Sequence, residues 1–332
     1  MCLVGGCLKM KVLIAVSPSA TTTSAASGGS PLMAFYEELG DLAVELAFLQ
    51  DSVPLSQQVG DVDVIIPALS QVGADDINSA PNLKLIAQAG VGLDGVDIEA
   101  ATRKNVYVTN VPYGSAVSMG ELTIALMMLL SRKLNEAQAN LRKGVFFLPL
   151  GSELGGKVLG LIGLGHSGKE AAKRAKSFDM TVLAVDKYHD HIHTPDVDFL
   201  GGTEQLDRVL TESDFVSLHC PLTEETRGII GYGELCKMKP SAYLINIARA
   251  GLVQKEGCIR ALKQRKIAGA GFDVFWEEPV PFDDELLQLD NVVLTPHIAT
   301  STAESRANNF AQVARNMKLV ARGEKPEFCV NF

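Results

Sequence analysis

The sequence lacks any long apolar stretch. Its longest apolar run, 122–130, is interrupted by Thr123, and a bilayer-crossing helix needs ~20 apolar residues. That run therefore predicts a buried helix and no membrane partner. Positive charge is also short: 30 Lys and Arg stand against 39 Asp and Glu, a net charge of −9. Chains that bind nucleic acid or an anionic membrane surface present a basic face, so neither partner is expected. Cysteine is sparse, with Cys2, Cys7, Cys220, Cys236, Cys258 and Cys329 and no CxxC pair. In a chain this long that favours reduced thiols and a cytoplasmic location. The N-terminal run MCLVGGCLKMKVLIAV has neither a long apolar core with a cleavage site nor an Arg-rich transit pattern. The acidic-poor stretch 21–30 follows a strand-like run and reads as a flexible loop. No internal repeat of solenoid period is present.

What the chain does have is length and alternation. With 332 residues, 47% of them hydrophobic, it exceeds one small core and predicts two domains. Strands are expected at 12–16, 42–48, 62–67, 83–87 and 106–109, with helices at 31–38, 75–79 and 96–104. A helix over 119–134 is apolar almost all round, as a buried helix is. A second series follows, with strands at 158–162, 181–185, 214–218, 242–247, 268–275 and 292–295. Its helices fall at 168–177, 203–210 and 254–264, and a last helix at 302–321. Strand–helix alternation of this kind predicts an α/β fold with parallel sheets. The simplest division is a nucleotide domain, 119–300, inserted into a first domain built from 1–118 and 301–332.

The most specific local signal is the run VLGLIGLGHSG at 158–168, which holds GxGxxG as Gly163, Gly165 and Gly168. It follows an apolar strand and opens a helix. Gly163 allows a tight turn, Gly165 lets backbone approach a pyrophosphate, and Gly168 lets helix and strand pack closely. His166 and Ser167 lie inside this turn, where His166 is expected at the pyrophosphate and not in the chemistry. A second strand ends in Asp186, 23 residues after Gly163. An acid there accepts hydrogen bonds from ribose hydroxyls and repels a 2′-phosphate, which favours NAD over NADP.

Ligands of open α/β sheets sit beyond the carboxyl ends of the strands. His219, Arg249, Asp273, Glu278 and His297 each lie at or just after such an end. Reduction of a 2-oxo acid needs a cation for the carboxylate, and the planar fork of arginine matches it bidentately. It needs a general acid for the oxygen, a task suited to histidine, and a carboxylate beside that histidine favours its charged form. Arg249, His297 and Glu278 fit these roles in that order. The cluster His189, His191 and His193 has metal-like spacing but sits in a polar stretch, so a surface loop is expected and no metal.

At this point the chain resembles the D-isomer-specific 2-hydroxyacid dehydrogenases, from about Val12 to Val330. That group includes phosphoglycerate, glycerate and D-lactate dehydrogenases, glyoxylate/hydroxypyruvate reductases and C-terminal-binding corepressors. The resemblance is carried by AGVGLDGVD at 89–97, NVP at 110–112 leading to Gly120-Glu121, and ELGGK at 153–157. HCPLT at 219–223, NIAR at 246–249, GFDVF at 271–275 with Glu278-Pro279, and TPH at 295–297 complete it. It implies two doubly wound parallel-sheet domains, a Rossmann NAD-binding domain inserted into a flavodoxin-like substrate domain.

By that resemblance Arg249, Glu278 and His297 are the catalytic set, and the amides of Val91 and Gly92 hold the substrate carboxylate beside Arg249. Asp273 meets the nicotinamide carboxamide, and His219 and Pro221 line the cofactor. The departures are Ser167, Ala299, Gln254 and Ser115, none of which removes a catalytic group. Gln88 stands where members with phosphorylated substrates tend to have a basic residue. A small unphosphorylated 2-hydroxy or 2-oxo acid, such as glyoxylate or hydroxypyruvate, is therefore expected, with 3-phosphoglycerate as the alternative. The family usually forms homodimers through the nucleotide domain, and GVFFLPL at 144–150 is a plausible arm. An NAD(H)-sensing corepressor-like protein is the rival of another class, disfavoured because the chain stops soon after its last helix. Formate oxidation is disfavoured by Glu278, where those members carry Gln.

Overall fold

The computed structural model describes residues 9–15, 31–50, 52–68 and 70–332. The stretch 21–30, Val16, Cys2 and Cys7 lie outside them. The chain divides into two compact units, Met1–Ser115 with Ser301–Phe332, and Ala116–Thr300.

The first unit is built on five parallel strands: β1 (Lys9–Ile14), β2 (Ala43–Phe48), β3 (Val64–Ile66), β4 (Leu85–Ala87) and β5 (Tyr107–Thr109), in the order β2-β1-β3-β4-β5. Strands such as Val-Ile-Ile and Leu-Ile-Ala are apolar at every position because both faces are covered. On one face Phe35 of α1 (Pro31–Leu39) meets Val313 and Met317 of the last helix (Ala303–Ala321) in one apolar cluster. On the other, Ile77, Ala100 and Ala101 come from α2 (Ala74–Asn78) and α3 (Ile98–Arg103). The order reverses at β1, as in flavodoxin-like sheets.

The second unit carries seven parallel strands: β6 (Val158–Ile162), β7 (Thr181–Val185), β8 (Phe199–Gly201), β9 (Phe215–Leu218), β10 (Tyr243–Asn246), β11 (Gly269–Phe272) and β12 (Val292–Leu294). Their order is β12-β11-β10-β9-β6-β7-β8, the doubly wound Rossmann arrangement with its reversal at β6. The apolar residues of α4 (Ala116–Ser131) enter one core with Ala171, Ala172 and Ala175 of the helix after the glycine turn. Gly120 makes that crossing close: a methyl group there would come within 2.8 Å of the Glu170 backbone.

The structure differs from the sequence reading in a few places. The helix expected over 119–134 is two helices, α4 and α5 (Leu134–Arg142), broken where Lys133 takes φ 50°. A single left-handed residue reverses the course of a helix, and Lys gives no local warning of it. β8 and the helix Tyr232–Lys237 were not anticipated, being too short for a periodicity to show. The strand expected over 268–275 stops at Phe272.

Candidate active site

Strand register places the site residues. Val185, Ile162, Leu218, Asn246, Phe272 and Leu294 are neighbours in one row across the second sheet, each at the carboxyl end of its strand. The next residues therefore leave the sheet along one edge: Asp186, Gly163, His219, Asp273 and Thr295, with Arg249 and His297 shortly after. Adjacent strands lie ~4.8 Å apart, so β10 and β12, which lead to Arg249 and His297, are separated by roughly 10 Å.

The cofactor half gathers around β6. Gly163 has φ +95°, and a methyl group on it would fall 2.6 Å from the Cys220 amide nitrogen, so only glycine fits between the two strand ends. At Gly168 the same group would meet the Gly163 carbonyl oxygen at 2.5 Å, which holds α6 (His166–Lys176) close to β6. Gly165 is different: a side chain there would meet no protein atom within 4 Å. It caps α6, whose first-turn backbone N–H groups have no partner within the helix. This open cradle fits a pyrophosphate. Beside it the Asp186 carboxylate accepts from the amides of Leu164 at 2.7 Å and Tyr188 at 2.8 Å, which sets the acid next to the turn.

His219 is buried at the end of β9. Its ring lies between Ser217 Oγ at 3.0 Å from Nε2 and Ser167 Oγ at 3.1 Å from Nδ1. Burial lowers its pKa to about 4, so the ring is neutral and cannot act as a cationic acid near pH 7. Ser167 thereby gains a partner across the turn. His166 is exposed at the start of α6, and burial of part of its ring and then the Lys169 charge lower its pKa. Pro221 is exposed just after β9.

The chemistry half lies at β10 to β12. His297 Nδ1 and Glu278 Oε2 are 2.7 Å apart, with both side chains about one-third exposed (29% and 34%). Glu278 is held in turn by the Phe275 amide, which donates to Oε1 at 2.9 Å. His297 takes φ 53°, a left-handed conformation for a residue with a Cβ. Asp273 explains how that is sustained. Its fully buried carboxylate accepts from Thr295 Oγ1 at 2.6 Å, the Ile298 amide at 2.9 Å and the Ala299 amide at 2.7 Å. The sequence reading set Asp273 against the nicotinamide. Its carboxylate fastens the loop that carries His297. Arg249 is half-buried, and its Nη1 donates to the Ala248 carbonyl at 2.8 Å.

Three of the expected residues are thus brought onto one edge, two of them in direct contact. Val91 and Gly92 belong to the first unit, in the turn after β4, where Asn110 Nδ2 donates to the Val91 carbonyl at 2.9 Å. Of the histidine cluster, His189 and His191 lie in a short 3₁₀ turn and His193 follows it. Among the described residues no three His, Cys, Asp or Glu side chains are arranged to hold a metal ion, and the four described cysteines are unpaired. Sequence reasoning missed Asn246, which is polar and fully buried at the end of β10. Its signals were a polar residue closing an apolar strand and its place in the NIAR run, 246–249.

Comparison with known proteins agrees with this geometry. Residues 124–299 match the model of the D-isomer specific 2-hydroxyacid dehydrogenase, NAD binding domain. The chain is 39% identical over 301 residues to a glyoxylate reductase of Korarchaeum cryptofilum, covering 86% of this chain and 90% of that one. It is 40% identical over 300 residues to a D-3-phosphoglycerate dehydrogenase of Methanocaldococcus jannaschii, covering 89% of this chain and only 56% of that one. Among solved structures, the D-lactate dehydrogenase of Lactobacillus jensenii with NAD+ superposes with a TM-score of 0.76 at 31% identity. That match covers 97% of this chain and 99% of the other.

Proposed function

This chain belongs to the D-isomer specific 2-hydroxyacid dehydrogenases and is an NAD-dependent oxidoreductase acting on CH–OH groups, and on that footing we propose that it reduces a small unphosphorylated 2-oxo acid, glyoxylate or hydroxypyruvate, with Arg249, Glu278 and His297 as its catalytic residues. The observation that supports the reading most is the 2.7 Å contact of His297 with Glu278 on the sheet edge that also carries the glycine turn.

The Gly163–Gly168 turn and Asp186 would hold the cofactor, which as NADH would supply the hydride for C2 and as NAD+ would accept it in the reverse direction. Arg249 grips the substrate carboxylate with its planar fork. Substrate contacts from the Val91 and Gly92 amides are part of the same proposal. Glu278 occupies Nδ1 of His297, which leaves Nε2 as the nitrogen that gives its proton to the substrate oxygen. In oxidation the same nitrogen takes the proton back. Asp273 keeps that ring in place through the loop.

Gln88 supports the choice of substrate. Its Nε2 donates to the Ala68 carbonyl at 2.9 Å, so this side chain fastens a loop and brings no cation for a phosphate. The segment before β6 supports a homodimer: Phe147 and Leu150 are 101% and 86% exposed. Apolar side chains at such exposure mark a protein contact, here a second copy of this chain. No helix among the described residues is long and apolar enough to cross a membrane, and a cytoplasmic location is proposed with the cysteine usage.

The test follows NADH absorbance against a panel of 2-oxo acids, phosphorylated ones included. Glyoxylate or hydroxypyruvate is expected to give the highest kcat/KM. His297→Ala is expected to lose at least ~100-fold in kcat while still binding NADH. A parental turnover number in that variant refutes the assignment.

A further inference from the structure

One buried polar side chain has no part in the proposed chemistry, yet it sits at the root of Arg249. Asn246 is the last residue of β10 and is fully buried. Its Nδ2 donates to the Arg249 carbonyl at 2.9 Å, and its Oδ1 accepts from the Ala248 amide at 3.1 Å. One amide therefore closes the 246–249 turn from both sides, as only a side chain with a donor and an acceptor can. The backbone of Asn246 is fixed as well, its carbonyl accepting from the Asp273 amide at 3.0 Å. Beyond the turn, Arg249 is extended, with φ −145° and ψ 135°, and a 3₁₀ turn over Ala250–Leu252 follows.

We infer that Asn246 is a positioning residue that sets the direction in which Arg249 leaves the sheet edge, and hence the substrate affinity of the enzyme. The inference rests on the reading of Arg249 as the carboxylate-binding residue. The physical reason is economy of geometry. A bidentate grip tolerates little misdirection, and the Arg249 side chain starts from a backbone that would otherwise be a loop. The neighbouring strand end is built the same way, with Asp273 fastening the loop of His297. Arg249 and His297 thus each stand on a turn or loop closed by a buried polar group, at the end of β10 and just past β11.

The experiment uses the full chain and measures KM and kcat for glyoxylate and hydroxypyruvate, the dissociation constant of NADH and the Tm. The variants are Asn246→Ala, Asn246→Asp, Arg249→Lys and the double variant Asn246→Asp with Arg249→Lys. Asn246→Asp keeps the acceptor for the Ala248 amide but sets a buried carboxylate oxygen against the Arg249 carbonyl, so Tm and NADH binding are read beside KM to separate a lost fold from a misdirected Arg249. Asn246→Asp is expected to raise KM ~10-fold, with kcat within ~3-fold and NADH binding unchanged. In the Arg249→Lys background the same change is expected to add less than ~2-fold, because coupled residues are not additive. Multiplying effects in the double variant, or a loss of NADH binding in step with KM, overturns the role of Asn246. An unchanged KM in Arg249→Lys, or a parent that turns over neither acid, overturns instead the reading of the site on which it rests.

Discussion

Replacing Asp273 by Asn tests the mechanical account of His297 most directly. The carboxylate satisfies three donors, Thr295 Oγ1, the Ile298 amide and the Ala299 amide, at 2.6, 2.9 and 2.7 Å. An amide of the same shape has one acceptor oxygen. In either orientation its NH2 group faces a backbone N–H, so at least one buried donor loses its partner. An orphaned buried donor costs ~1–3 kcal/mol, and loss of charge assistance adds about 1 kcal/mol. Against this, the left-handed His297 costs ~1–2 kcal/mol. The anchor is thus just large enough to sustain the strained residue, and its loss frees the loop.

The expected result for Asp273→Asn is a kcat lower by ~100-fold, the scale of a misplaced catalytic group. Tm is expected to fall about 5–10 °C, as ~2–4 kcal/mol does in a unit of this size. NADH binding, read by fluorescence titration, is expected to stay within ~3-fold of the parent. Parental kcat and Tm would refute the anchor. So would a parental Tm with NADH affinity falling in step with kcat, which would place the carboxylate on the cofactor.

Glu278→Gln keeps an acceptor for the Phe275 amide but removes the charge facing His297; with both side chains about one-third exposed, a ~10-fold loss in kcat is expected, and less than 2-fold in steady-state kinetics would sink the pairing. Two glycines should separate in a thermal melt and an NADH titration. Gly163→Ala forces a methyl group to 2.6 Å from the Cys220 amide nitrogen at φ +95° and lowers Tm, whereas Gly165→Ala meets no protein atom and leaves Tm unchanged while weakening NADH at least ~10-fold. Burial lowers the pKa of His219 from its ordinary 6.5 to about 4 in the folded chain. The unfolded chain therefore binds the extra proton, and stability should fall by ~3 kcal/mol as pH drops from 6.5 to 4. His219→Gln should flatten that limb in urea melts, and an unaltered slope would refute the neutral ring. Phe147→Asp with Leu150→Asp is expected to give monomers in light scattering, and a surviving dimer would exclude this segment as the contact.

Much of the site was legible in one dimension because its physics is local. The GxGxxG spacing of Gly163, Gly165 and Gly168 is a local signal, and the strand before them and helix after them have their own periodicities. Arg249, Glu278 and His297 were legible because parallel strands all end on one edge, so a polar residue just past an apolar strand is already placed to within a sheet edge. Short elements such as β8 left no such trace. Neither did the break at Lys133, which lies in backbone conformation and not in residue type.

What the amino-acid order decided, then, was the α/β alternation, the dinucleotide turn and the shortlist of reactive side chains. The tertiary structure alone decided which buried polar group serves which distant neighbour: Asp273 the loop of His297 and Ser167 the ring of His219. Such pairings join atoms of residues up to 52 positions apart, chosen by strand order and register. No local pattern records them, because a hydrogen bond depends on distance in space and not on spacing along the chain.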